Sequence, residues 1–316
     1  MKITLVTPAP AQIHTGNRTT ADRWARLLRE LGNEVNVQRD WNGEQCDLLI
    51  ALHARHSFTA MQRFREKHRR APLILALTGT DIYDDLVKGA EATSSLDLAT
   101  RIVVLQELAV GAVPESARGK VNVIYQSAGR PAISPPREEG CFQVCVLAHV
   151  RRVKDPLRAA YAVRELPASS RIQVKHAGAV LDPEFEVQVE GEQRSNPRYR
   201  WLGPLTHEKA VDLLARSHVL ALTSHHEGGA NVVSEAIAVC TPVISSLIPG
   251  SVGILGKEYP GYFPVGDSVA LREQLQKAES NDGFYRDLQD RVARLRPLVS
   301  ADREREAWRA LLTELR

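Results

Sequence analysis

The sequence predicts an α/β chain of two doubly wound domains, each built on a parallel sheet, facing each other across a cleft. Three observations predict it. Short apolar runs alternate with longer amphipathic stretches along the whole chain, which is the pattern of successive βαβ units. The pattern stops at the proline-rich stretch Arg130-Pro131-Ala132-Ile133-Ser134-Pro135-Pro136 and restarts after it. The 316 residues also exceed the roughly 100–200 that one domain usually holds. The domains are expected over 1–134 and 135–316, with the last helix packing back on the first.

In the first half, strands are expected over 3–7, 35–38, 48–52, 73–77, 102–105 and 121–124. A helix over 19–31 stops at Gly32, a residue suited to the left-handed turn after a helix. A second helix is expected over 60–68. In the second half the strands are 142–147, 171–176, 199–202, 219–223 and 242–246. Helices are expected over 156–165, 207–216 and 231–239, and two more, 268–279 and 283–312, close the chain. No internal repeat interrupts this order.

Composition excludes several function classes. Lys and Arg number 41 and Asp and Glu 38, a net charge of +3, too small for a nucleic-acid binder. The surplus falls in residues 1–138, with 18 basic and 15 acidic groups, whereas 139–316 carries 23 of each. No apolar run approaches the roughly 20 residues of a membrane span, and the four cysteines are scattered without a C-x-x-C pair. The expectation is a soluble, cytoplasmic protein.

Four stretches carry candidate chemistry. In Thr223-Ser224-His225-His226-Glu227-Gly228-Gly229-Ala230-Asn231 a strand ends, two glycines follow and a helix begins. The glycines admit a ligand to the backbone, and the helix start favours an anion. Glu227 and Glu235 have seven residues between them, and carboxylates beside an anion site suit sugar hydroxyls. The same stretch can be read as a plain glycine turn, and His225-His226-Glu227 as a metal site lacks a further ligand at a suitable spacing.

The second stretch, Ala148-His149-Val150-Arg151-Arg152-Val153-Lys154-Asp155-Pro156, again follows a strand. Its three cations and histidine can clamp a diphosphate without a metal, or form a solvated loop. The third, around Gly16-Asn17-Arg18-Thr19-Thr20, reads as an oxyanion pocket or as a helix cap by Thr19 or Thr20. The fourth is Leu77-Thr78-Gly79-Thr80-Asp81-Ile82-Tyr83, with His53, Arg55 and His56 after another strand beside it.

With these residues in view, the chain resembles the retaining family 4 glycosyltransferases of the two-Rossmann-domain architecture, known as GT-B. The residues that carry the resemblance are Glu227 and Glu235, then Ala236-Ile237-Ala238 and Thr241-Pro242-Val243-Ile244-Ser245, with Gly178 and the turn Trp201-Leu202-Gly203. Lys154 falls at the family's diphosphate-binding lysine, while His149 stands where the family has an arginine. A narrower resemblance is to the selenosugar synthases of selenoneine biosynthesis. It is carried by Leu77–Tyr83, Lys154-Asp155-Pro156 and Tyr259-Pro260-Gly261-Tyr262-Phe263-Pro264-Val265-Gly266-Asp267.

The resemblance implies a UDP-sugar donor, UDP-glucose or UDP-N-acetylglucosamine, and selenophosphate as acceptor, giving a 1-seleno sugar, UDP and phosphate. It implies donor contacts from His149, Arg152, Lys154, His226, Glu227, Gly228, Gly229, Ala230, Asn231 and Glu235, with Glu235 at the ribose and Glu227 at the hexose. Lys154, Arg151, Glu227 and Asp81 are the expected catalytic residues. Gly16, Asn17, Arg18, Thr19, His53, Thr78, Gly79 and Thr80 are expected to meet the acceptor. No metal or other cofactor is expected. A functional link to a selenophosphate synthetase and to a downstream selenol-transferring enzyme follows from the same resemblance. The competing readings are a transferase with an alcohol or lipid acceptor, a UDP-sugar epimerase, and an inactive sugar-nucleotide-binding protein.

Overall fold

The computed structural model describes residues 1–9, 16–79, 81–86, 89–129, 136 and 138–315. The expected linker, the residues 10–15 and Thr80 lie almost wholly outside them. Contacts divide the chain into two units, one of Met1–Ser127, Glu227–Asn231 and Ser300–Arg316, the other of Ala128–His226 and Val232–Val299.

The first unit is built on β1 (Lys2–Val6), α1 (Gly16–Glu30), β2 (Glu34–Gln38), β3 (Leu48–Leu52), α2 (Phe58–Lys67) and β4 (Leu73–Leu77). A wide helical turn over Asp81–Asp85 precedes α3 (Ala90–Leu98), β5 (Arg101–Val104), α4 (Ala109–Ala112), α5 (Glu115–Arg118) and β6 (Val121–Val123). The six strands are parallel in the order β2-β1-β3-β4-β5-β6. Every residue of β3 and β4 is buried, as expected of central strands covered on both faces.

The second unit contains β7 (Phe142–Leu147), α6 (Arg158–Val163), β8 (Ile172–Ala177), α7 (Glu186–Ser195), β9 (Tyr199–Trp201), α8 (His207–Arg216) and β10 (Val219–Leu222). Then come α9 (Asn231–Val239), whose first residue falls in the first unit, β11 (Val243–Ser246), α10 (Pro249–Leu255), β12 (Tyr262–Phe263), α11 (Ser268–Ser280) and α12 (Asp282–Arg294). Its parallel sheet runs β12-β11-β10-β7-β8-β9. The chain lays β7, β8 and β9 outward in one direction, then returns to place β10 beside β7. The switch point of this sheet therefore lies between β7 and β10, and in the first sheet it lies between β1 and β3. The α/β class with two parallel sheets is as the sequence predicts.

Helix α13 (Ala301–Glu314) belongs to the first unit. Trp308 sits edge-on to Trp24 of α1, ring centroids 4.8 Å apart, in a cluster with Leu28, Leu311 and Leu312 on one face of the sheet. Phe64, Met61 and Leu96 fill the other face.

Three expectations need correction. The single helix over 283–312 is two helices, separated by a tight turn at Arg296–Val299. Pro297 lacks the N–H to continue a ladder, and Ser300 caps the next helix by accepting from Arg303 N. Helix α1 starts at Gly16, so Thr19 and Thr20 lie inside it and do not cap it. The helices α3, α4, α5, α7 and α10 and the strand β12 were not expected. Pro249 at the first turn of α10 is a signal that could have found one of them.

Candidate active site

In the second unit, the loops that follow β7 and β10 stand at the switch point, and the structure ties them together. The hydroxyl of Thr223, just past β10, reaches the carbonyls of Lys154 (2.9 Å) and Asp155 (3.0 Å). The His225 N–H donates to Val153 O at 2.9 Å. Asp155 adopts a left-handed backbone, φ 44°, and its carboxylate is held by Arg158 Nε at 2.8 Å. These contacts fix the backbone that carries Lys154. Two stretches that the sequence singles out separately are thus one structure.

The start of the β7 loop is equally constrained. His176 is wholly buried and donates from Nε2 to Ala148 O at 2.9 Å. A carbonyl only accepts, so Nδ1 carries the lone pair and accepts from the Tyr199 hydroxyl at 2.8 Å. Burial lowers the His176 pKa to about 4, so the ring is neutral near pH 7. Gly178 lies against this loop so closely that a Cβ there would fall 1.9 Å from Ala148 O. Trp201 Nε1 donates to Gly178 O at 3.0 Å, and Gly178 N donates to Gly203 O at 2.9 Å. The residues 201–203 and Gly178 therefore shape the loop, not only the sequence pattern. His149 Nδ1 accepts from Ala179 N at 3.2 Å, so the donor of this ring is Nε2.

The cations of this loop separate. Arg151 is partly buried, and its Nε is buried without a hydrogen-bond partner. Arg152, expected at the donor, has a side chain that is 76% exposed and pairs with Glu184 at 2.7 Å. The loop bends there because Asp182 accepts the Arg152 N–H at 2.7 Å, and this turns the side chain to solvent. Glu235, on α9, is 15% exposed and lies 3.6 Å from His207 Nδ1. His226 is exposed and Glu227 buried.

In the first unit, the turn Glu227–Asn231 packs on the loops of the first sheet. A Cβ on Gly228 would lie 2.8 Å from the Thr78 carbonyl carbon and 2.9 Å from Gly79 N. One on Gly229 would lie 2.6 Å from Leu105 Cβ. Only glycine allows this approach. The Thr78 hydroxyl donates to Asn17 Oδ1 at 2.6 Å, and Asn231 Nδ2 donates to Gly16 O at 3.2 Å. Gly16, Asn17, Thr78 and Gly79 are thereby brought together with Gly228 and Asn231. Arg18 forms an ion pair with Asp22 at 2.8 Å, and Thr19 is partly exposed on α1.

Asp81 is one of the expected catalytic residues. It is fully buried, with Oδ2 accepting from Ala54 N (3.1 Å) and Oδ1 from Gly79 N (2.7 Å). A buried carboxylate that accepts from two backbone donors braces the loops after β3 and β4. His53 is 5% exposed, with φ 76°. Its Nδ1 lies 3.5 Å from His56 N and its Nε2 3.7 Å from Asp85, so both ring nitrogens face protein. Burial, reinforced by His53 and Arg55, lowers the pKa of His56. Among the described residues, no three His, Cys, Asp or Glu side chains cluster to hold a metal ion, and no helix is long and apolar enough to cross a membrane.

Arg23, Gln126 and Glu304 contact the turn or its neighbours, and sequence reasoning missed them. Glu304 sits in the charged run Asp302-Arg303-Glu304-Arg305-Glu306, where nothing distinguishes it from its solvated neighbours.

Several solved structures share this fold over nearly their whole length. HepE of Anabaena, solved in complex with UDP-glucose, superposes with a TM-score of 0.79 at 14% identity, covering 99% of this chain and 100% of that one. Sucrose-phosphate synthase from Thermosynechococcus elongatus gives 0.78 at 15% identity, covering 99% and 98%. A glycosyltransferase from Rickettsia africae gives 0.75 at 13% identity, covering 99% and 98%. At these identities the likeness establishes the fold. Residues 134–294, just over half of the chain, match the family described as glycosyl transferases group 1. The match takes in the loops after β7 and β10, and the chain belongs to the group 1 glycosyltransferases.

Proposed function

We propose that the protein transfers a hexosyl group from UDP-N-acetylglucosamine or UDP-glucose to selenophosphate. The anomeric C–O bond to UDP breaks and a C–Se bond forms. Water then cleaves the Se–P bond, so that a 1-seleno sugar, UDP and phosphate result. The observation that carries the donor half is the pinning of the Lys154 loop to the end of β10 by Thr223 and His225. It supports a preformed cationic edge where doubly wound sheets bind nucleotides. That HepE was solved with UDP-glucose supports the same donor class.

Lys154 and Arg151 offset the charge that develops on the UDP leaving group, in place of a metal. His149 Nε2 supplies a further donor, Glu235 accepts from the ribose hydroxyls, and Glu227 from the hexose. The acceptor half rests on the resemblance to selenosugar synthases and on the site's chemistry. Selenophosphate arrives ionised and soft, so it needs no strong general base. Asp81 and His53, expected as a catalytic residue and an acceptor contact, are engaged by protein partners. The first half also carries the basic surplus, which suits an anion.

The test is incubation with each UDP-sugar, with and without selenophosphate, followed by mass spectrometry. Selenophosphate-dependent UDP release is expected. UDP release that needs an alcohol, or an isomerised sugar without acceptor, would point to the rival activities. Glu235→Ala is expected to weaken UDP-sugar binding in titration calorimetry by about tenfold, the loss of a charged hydrogen-bond acceptor. Unchanged affinity would remove it from the ribose.

A further inference from the structure

We propose that Arg23, Gln126 and Glu304 form a buried seat that holds the glycine turn Glu227–Asn231 in its working shape, with Arg23 as a positioning residue. Glu304 is 1% exposed. It accepts from Trp24 Nε1 (2.7 Å), from Ser127 N (2.8 Å), from the Ser127 hydroxyl and from Arg23 Nε (3.1 Å). A buried carboxylate needs a counter-charge, and Arg23 is the cation that supplies it. The same guanidinium then reaches the turn, with Nη1 donating to Asn231 Oδ1 at 2.9 Å.

Gln126 closes the network. Its oxygen accepts from Thr20 Oγ1 (2.7 Å) and Arg23 Nη2 (3.0 Å), and its nitrogen donates to Asn231 Oδ1 (3.1 Å) and Gly229 O (2.9 Å). Asn231 Nδ2 donates to Gly16 O and to Thr20 Oγ1. Every hydrogen-bonding position of the Asn231 amide is thus occupied by protein. The Asn231 side chain therefore fixes the turn rather than meeting the donor, and only its backbone N–H remains for an anion. A fully satisfied network of this kind is rigid, because any displacement strands a buried polar group. The planar fork of Arg23 is what lets one cation serve Glu304, Asn231 and Gln126 at once.

That this turn serves a UDP-sugar rests on the function proposed above, so the test separates the two. Amide hydrogen exchange is followed in the peptide 227–235 of the wild type, Arg23→Lys and Arg23→Ala, and UDP affinity is measured by calorimetry. Arg23→Lys keeps a charge for Glu304 but lacks the fork, so it folds even where Arg23→Ala does not. Exchange in 227–235 is expected to accelerate about tenfold or more while strand 219–222 stays protected. UDP affinity is expected to fall by up to about a hundredfold. Leu311→Ala, a core substitution on α13, lowers the melting temperature without this local acceleration. Unchanged exchange in a folded Arg23 variant overturns the seat. Accelerated exchange with unchanged UDP affinity overturns its role at the site. A wild type that does not bind UDP counts against the donor reading, and the exchange result judges the seat by itself.

Discussion

Lys154→Ala is expected to lower the rate of hexosyl transfer by about one to three powers of ten, the scale of losing one fixed donor to a developing charge. The effect belongs mainly to kcat, because leaving-group charge grows in the transition state, with a smaller change in KM. The substitution leaves the loop in place. Its backbone is held at the Lys154 and Asp155 carbonyls by Thr223 and at Val153 by His225. With its backbone so held, the substituted chain is expected to keep its fold in a thermal melt. Steady-state kinetics with a UDP-sugar and a thermal melt check both halves. Wild-type turnover removes Lys154 from the leaving-group clamp.

Gly178→Ala is expected to be worse for the molecule. Its Cβ would fall 1.9 Å from Ala148 O, 2.5 Å from Ala148 C and 2.9 Å from His149 Cα. All three are backbone atoms, so no side chain can swing aside. The strands β7 and β8, paired from Phe142–Ile172 to Leu147–Ala177, must part at their ends. We expect a loss of about 1–3 kcal/mol or more in stability, the usual cost of overpacking. The His149–Lys154 loop would be displaced, and a shift near 1 Å costs on the order of a hundredfold in rate. Gly191→Ala is the control. Its Cβ meets nothing within 4 Å and it lies inside α7, so it should stabilise by about 0.4–1 kcal/mol. Denaturant melts of both variants decide the matter, and a Gly178→Ala protein as stable as wild type would contradict the close approach.

The positions of the strands along the chain were legible because the central strands are buried on both faces and read as unbroken apolar runs, as in Leu48–Leu52 and Leu73–Leu77. Two of the candidate loops were legible too, since His149–Lys154 and Thr223–Asn231 each follow a strand, but that their strands are neighbours in the sheet was not. Short helices were not. The segment Ala90–Leu98 has small and polar residues without a clear apolar stripe, and Ala109–Ala112 is a single turn. Within the site, residue type did not reveal partnership. Arg151 and Arg152 are neighbours in sequence, yet one has a buried Nε and the other lies against Glu184 in solvent. Asp81 reads as a polar group at a loop, and only the positions of Ala54 N and Gly79 N show that each of its oxygens accepts from the backbone. Glu304 lies far along the chain from Arg23 and Trp24, a pairing no local pattern encodes.

The most direct test of the account follows the bond it claims is made. The protein is incubated with selenophosphate and a UDP-sugar carrying carbon-13 at the anomeric position, and the product is read by selenium-77 and carbon-13 NMR. The account predicts that the anomeric carbon of the product shows one-bond coupling to selenium, with UDP and inorganic phosphate formed alongside. A labelled product whose anomeric carbon is bonded only to oxygen would contradict it.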